Sequence, residues 1–137
     1  MRGEGVHLYA RTGDRYLDFI AGISVNAFGH AHPRMVETLR EQAGKLWHLS
    51  NMFRVEGQET LAAKYVASTF ADVVFFTNSG TEAIEGCLKM ARKYHSANGA
   101  PEKIDIIGFS GSFHGRSYAA INAAGNPSYV DGFGPRL

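Results

Sequence analysis

Residues 73–83, Val-Val-Phe-Phe-Thr-Asn-Ser-Gly-Thr-Glu-Ala, constrain this chain more than any other stretch. Four consecutive apolar residues, Val73 to Phe76, have the pattern of a strand covered on both faces. They pass through a Ser79-Gly80-Thr81 turn directly into the clearest helical period of the sequence. Ile84, Cys87, Leu88 and Ala91 line one face of that helix, and Glu85, Lys89 and Lys93 line another. A second buried-strand pattern follows at 104–109. Strand, helix of roughly four turns and strand predict a βαβ unit, hence an α/β fold built on a mostly parallel sheet.

Upstream, short aromatic and β-branched runs at 6–10 and 16–19 flank a Thr12-Gly13-Asp14 turn and predict a β-hairpin. Residues 22–32 are irregular and end in His32-Pro33, where proline starts a helix. Over 33–46, Met35, Val36, Leu39, Ala43 and Leu46 recur at helical spacing, with Glu41 and Lys45 placed to pair on the wet side. A further helix is predicted over about 58–69, turning Leu61, Ala62, Tyr65 and Val66 inward. Gly125, Gly132 and Gly134 give a turn-rich tail, and the sequence ends at Gly134-Pro135-Arg136-Leu137 with no capping element.

Fourteen basic and thirteen acidic residues leave a net charge of +1, which supplies no field for nucleic acid or an anionic membrane. Lys89, Arg92 and Lys93 read as a solvated helix face. The single cysteine, Cys87, has no intrachain partner and falls on the apolar side of its helix, where core packing is expected. No signal-peptide core and no run of about 18 apolar residues is present, so a cytoplasmic location is expected.

Two loops carry the chemistry. A helix start presents unpaired backbone amides and a partial positive charge, so the 79–81 turn suits a phosphate, with Gly80 admitting close approach and the Ser79 and Thr81 hydroxyls adding donors. Capping of the helix by Ser79 or Thr81 is the more economical account of this turn by itself. The pattern is neither a Walker loop nor Gly-x-Gly-x-x-Gly. After the second strand comes Phe109-Ser-Gly-Ser-Phe-His-Gly-Arg116, on the same sheet edge, where ligands of open α/β folds bind. Phe113 offers a flat stacking face and Arg116 a fork for a carboxylate. A plain turn with a core phenylalanine and a surface arginine accounts for this loop equally well.

The paired signatures Asn78-Ser-Gly-Thr-Glu-Ala83 and Phe113-His-Gly-Arg116 resemble the class III aminotransferases of fold type I. Tyr16-Leu-Asp-Phe19, Val25-Asn-Ala-Phe-Gly-His-Ala-His-Pro33 and Leu46-Trp-His-Leu-Ser-Asn51 resemble their acetylornithine and succinylornithine branch, and the likeness covers essentially the whole chain. The resemblance implies a pyridoxal 5'-phosphate site in which Ser79, Gly80 and Thr81 hold the phosphate. Phe113 would stack on the pyridine ring with His114 beside it, and Arg116 would bind the substrate carboxylate. Ile23 stands where ornithine δ-aminotransferases carry a tyrosine, which favours an N-acylated ornithine.

The same resemblance implies a homodimeric enzyme passing an amino group from N-acetylornithine to 2-oxoglutarate in arginine biosynthesis. It divides the chain into an N-terminal segment on the small-domain side, 1–50, and the beginning of the large cofactor-binding domain, 51–137. Family members run to several hundred residues, and none of Lys45, Lys64, Lys89, Lys93 and Lys103 matches the Schiff-base lysine motif. The chain is therefore expected to be an incomplete portion that turns nothing over alone, with uncovered sheet edges and poor solubility. A non-catalytic fragment keeping part of the cofactor cradle is the alternative, and a generic phosphate-binding α/β module is a third.

Other features carry less. His30 and His32 are a close pair, and His7, His48, His95 and His114 could join them, but no cysteine or carboxylate lies at a recognised ligand spacing, so no metal is expected. Ser112 near His114 does not make the nucleophile elbow Gly-x-Ser-x-Gly. Trp47, Met52 and Phe53 are expected to be covered, by core or by a partner subunit.

Overall fold

A computed structural model describes residues 1–134, so the last three residues of the uncapped ending lie outside the described residues. The chain falls into two compact units, Met1–Leu61 and Ala62–Leu137.

The first unit is built on a three-stranded antiparallel sheet in the order β1-β2-β3, with β1 Arg2–Glu4, β2 His7–Tyr9 and β3 Arg15–Leu17. The expected hairpin forms as β2 and β3, with His7 opposite Leu17 and Tyr9 opposite Arg15. Its turn uses Gly13 at φ +94°, and Thr12 Oγ1 donates to Asp14 at 2.6 Å. Strand β1 has no strand-like composition, and cross-strand contacts hold it instead. The Arg2 guanidinium lies 3.8 Å over the Tyr9 ring, and a β-carbon at Gly3 would stand 2.5 Å from His30 Cγ.

The irregular segment after β3 is tied back by Asp18. Its Oδ1 accepts the Ala21 amide at 2.9 Å, and its Oδ2 accepts from His30 Nε2 at 2.8 Å. Asn26 Nδ2 donates to His30 Nδ1 at 3.2 Å, which leaves the ring proton on Nε2. Gly5 and His30 exchange both backbone hydrogen bonds, 2.9 and 2.7 Å, and Gly29 is required because a β-carbon there would lie 2.6 Å from the Gly5 carbonyl oxygen. Both ring nitrogens of His30 thus serve the fold. Inside this loop, α1 Ala21–Ser24 is a left-handed turn, with φ of 47°, 64°, 63° and 64° at Ala21, Gly22, Ile23 and Ser24. Each of its three non-glycine residues costs roughly 1–2 kcal/mol there.

Helix α2, Pro33–Ala43, starts at the proline as the sequence predicts but stops before Lys45, so the Glu41–Lys45 pairing has no helix to act on. Helix α3, Glu56–Ser68, begins two residues earlier than the period indicates. Arg54 explains this: its Nε and Nη2 reach the Glu59 carboxylate at 2.5 and 2.9 Å over the first turn.

In the second unit, α4 spans Gly80–Ala97, α5 Tyr118–Ala124 and α6 Pro127–Val130. Helix α6 lies within the glycine-bearing segment expected to be a loose tail, and α5 lies just before it, where no element is predicted. The run Tyr-Ala-Ala-Ile-Asn-Ala-Ala has high helix propensity, Gly125 closes it in the left-handed conformation, and Asn126-Pro127 opens α6. Among the described residues the buried hydrophobic side chains are Ala120, Ile121 and Ala124, all in α5.

The two strand candidates, 73–76 and 104–109, are outside any ladder among the described residues. A strand needs a neighbour to exchange hydrogen bonds with, and each segment lacks one. Phe75 is 76% exposed and Ile107 96% exposed as a result. Cys87, expected in a core, is exposed for the same reason. The face of α4 carrying Lys89, Arg92 and Lys93 is exposed, and from it Arg92 Nε donates to the Ile104 carbonyl at 2.9 Å. No helix of the described residues is long and apolar enough to cross a membrane.

The Asp18 carboxyl is held below the usual carboxylate range, first by the Ala21 amide and then by His30. A lowered folded-state value makes its contribution to stability present above about pH 4 and lost as pH falls further. Hydrogen exchange should show protection of the Ala21 amide lost on acidification below that point, and Asp18→Asn should remove this pH dependence. The exposed apolar residues give a second expectation: the 137-residue chain alone should bind a hydrophobic-surface dye and sediment as aggregates. A sharp cooperative melt of a monomer would refute it.

Candidate functional site

Helix α4 opens with a reciprocal cap. Ser79, extended at φ −147° and ψ 162°, accepts the Glu82 amide on Oγ at 3.2 Å. The Glu82 carboxylate reaches back to the Asn78 amide at 2.7 Å. Capping is thus real, yet it does not exhaust the helix start. Among the described residues no acceptor meets the amides of Gly80 and Thr81, which point out at the positive end of the helix. A β-carbon at Gly80 would meet nothing within 4 Å, so the space above these amides is open. Ser79 Oγ accepts from the helix and keeps its own proton, so its hydroxyl remains a donor beside the Gly80 and Thr81 amides.

The second loop, 109–117, lies against this helix start. Gly115 is buried at φ +112°, and a β-carbon there would be 2.1 Å from Thr81 Oγ1. Two turns separated by 34 positions in sequence therefore touch through a glycine and a threonine. Both belong to the motifs singled out above. One turn of helix beyond Thr81, the Glu85 carboxylate accepts from Ser117 Oγ at 2.5 Å.

Phe113 keeps its ring 65% exposed, free to present a face. The Arg116 guanidinium lies 4.7 Å from the Tyr129 ring centroid and 5.7 Å from that of Phe113, while the two rings meet edge-on at 6.5 Å and 86°. Among the described residues no carboxylate pairs with Arg116. Its fork is available to an anion. Tyr129 escaped sequence reasoning because an aromatic residue in a glycine-rich tail carries no motif; the Asn126-Pro127 helix start was the signal available.

His114 is half-buried, with Nε2 3.1 Å from Ser112 Oγ. Ser112 Oγ gives its one proton to the Phe109 carbonyl at 2.7 Å, so His114 Nε2 donates to it. That polarity is the reverse of an activated nucleophile, which must give its proton to the histidine. Ser79, Gly80, Thr81, Phe113, His114 and Arg116 all fall in the second unit, at the α4 start and the loop beside it. Ile23 lies in the first unit, in its left-handed turn, 84% exposed. Among the described residues no group of three or more histidine, cysteine or carboxylate side chains is arranged to hold a metal ion.

The family model for class-III aminotransferases matches residues 1–137. An acetylornithine aminotransferase 2 from Caulobacter vibrioides is 67% identical over 136 residues, covering 99% of this chain and 34% of that protein. The chain spans about a third of the length of the curated relatives it matches. Among solved structures, an omega transaminase from Pseudomonas jessenii in complex with PMP superposes with a TM-score of 0.91 at 30% identity, covering 100% of this chain and 31% of that one. An N-acetylornithine aminotransferase from Stenotrophomonas maltophilia K279a gives 0.77 at 44% identity, covering 84% of this chain and 32% of that one.

The contact between the loops is sensitive to one methyl group. Gly115→Ala should cost about 2–3 kcal/mol, because its β-carbon meets Thr81 while the backbone holds a φ disfavoured for alanine. Chemical denaturation of the complete protein measures this, and a neutral substitution would mean the approach is not tight.

Proposed function

Because the chain belongs to the class-III aminotransferases and has their fold-type-I α/β architecture, we propose that it forms the N-terminal third of a pyridoxal-phosphate enzyme that moves an amino group from N-acetylornithine to 2-oxoglutarate. In that role it serves arginine biosynthesis, in the cytoplasm, as a homodimer. The observation that carries this reading is the approach of Gly115 to Thr81, which sets an open helix N-terminus beside an exposed ring and an unpaired guanidinium. The donor set suits the three parts of the reacting system: amides for a phosphate, a flat ring for a pyridine, a fork for a carboxylate.

In this assignment the Gly80 and Thr81 amides and the Thr81 hydroxyl bind the phosphate. Ser79 fixes, through its oxygen, the helix start that aims them, and its hydroxyl proton adds a further donor. Phe113 packs on the pyridine ring, and His114 holds the Phe113 loop through Ser112. Arg116 orients the amino donor by its carboxylate. Bound pyridoxal phosphate supplies the electron sink for amino-group transfer. The preference for an acetylated donor rests on the relatives' names and on the apolar Ile23.

By itself the 137-residue chain turns nothing over, since it holds no lysine matching the Schiff-base motif. The uncovered aromatic surface favours this: Trp47 and Phe70, 86% and 102% exposed, have nothing packed on them.

The complete protein should transaminate 2-oxoglutarate with N-acetylornithine, and borohydride reduction should leave one pyridoxyl adduct per chain. Arg116→Ala should raise KM for the donor by on the order of a hundredfold while leaving cofactor absorbance in place. Absence of any adduct on the complete protein would overturn the proposal.

A further inference from the structure

Ser117 is the N-cap residue of α5, extended at φ −67° and ψ 159°, yet its side chain makes no cap hydrogen bond. A serine in that position normally accepts an amide of its own helix. Here the hydroxyl turns away and donates to Glu85 Oε1 at 2.5 Å, across 32 positions of sequence. Both partners are half-buried, and a hydrogen bond to a carboxylate is stronger than the neutral cap it replaces. Helix α5 gives up its own capping to reach α4.

Glu85 is four residues beyond Thr81, so the two share one face of α4, a turn apart. The loop meets that face at matching points: Gly115 on Thr81 and Ser117 on Glu85. A single contact would let the loop swivel about it, whereas two contacts a helical turn apart fix its direction. Arg116 lies between the two pins and Phe113 just before them. Lys89, a further turn along α4, makes no ion pair with Glu85 among the described residues, so the carboxylate is committed to Ser117.

We propose that Glu85 is a positioning residue of the site: through Ser117 Oγ it holds the Phe113–Arg116 loop in register with the phosphate-binding start of α4. The inference rests on the transaminase reading for its functional consequence, while the tie itself is testable without cofactor. Glu85 touches neither substrate nor cofactor and acts through the loop.

Two arms test it on the complete protein. In the apo form, denaturation of Glu85→Ala, Ser117→Ala and the double variant should show strong coupling, the double being no less stable than the worse single. Ser117→Asp separates the two roles of this serine, since aspartate is a good helix cap but cannot donate to a carboxylate. It should be worse than Ser117→Ala, and a stabilised Ser117→Asp protein, or additive single variants, would overturn the tie. In the cofactor-loaded form, Glu85→Ala and Ser117→Ala should raise KM for N-acetylornithine and the dissociation constant for pyridoxal phosphate by on the order of tenfold, with a smaller effect on kcat. Ser117→Thr and Glu85→Gln, which keep donor and acceptor, should restore both. Coupling in the apo form with unchanged KM and cofactor affinity would refute the positioning role. A wild-type protein that binds no pyridoxal phosphate would instead sink the transaminase reading, with the apo coupling still deciding the tie.

Discussion

At position 115 the backbone turns at φ +112° with Thr81 Oγ1 only 2.1 Å from where a β-carbon would stand, and the second unit is organised around that approach. The close fit brings the 109–117 loop onto the first turn of α4. It sets the amides left open at the α4 start beside the loop that carries the Phe113 ring and the Arg116 guanidinium. A bulkier residue would separate the loop from the helix by the width of a methyl group. Glycine is chosen here for what it lacks, and the conformation it adopts happens to be one that other residues resist.

Against that local order stands a general shortage of covering. Ala120, Ile121 and Ala124 are the buried hydrophobic residues among those described, while aromatic and aliphatic side chains from Phe19 to Phe133 meet water. A folded domain gains its stability from apolar burial, and so small a dry cluster supplies little of it. What holds the chain is mostly hydrogen bonding of short range: helix ladders, caps and one small sheet. The strand segments at 73–76 and 104–109 show the limit of such order. Helices satisfy their backbone hydrogen bonds within one segment, whereas strands need a neighbour to satisfy theirs.

The same distinction explains what could be read from sequence. The α4 start, the hairpin and the proline-led α2 were legible because each is decided by residues adjacent in the chain. Ser79, Glu82 and Pro33 act within a turn of where they stand. Strand β1 was not legible, because Gly3 is there for His30 and Arg2 for Tyr9, relations no local pattern records. Helix α5 was overlooked for a different reason: its alanines have strong propensity but no amphipathic stripe, and glycines nearby read as loop. In the site, the six motif residues were visible as types. The Glu85–Ser117 tie and the Tyr129 ring under Arg116 were not, since a glutamate on a helix face and a tyrosine in a tail look like solvent-facing residues until the fold sets them beside their partners.

The turn at Ala21–Ser24 bears on how such a protein can change. All four of its residues occupy a left-handed conformation that glycine alone adopts without cost; three of them are not glycine, and one of those, Ile23, is β-branched, the least tolerant kind. Drift toward greater stability would replace these side chains with glycine, one by one. Their presence leaves the turn away from the stability optimum that glycine would give it. The strain there is local to the backbone, so glycine at position 23 would relieve it without disturbing a packed neighbour.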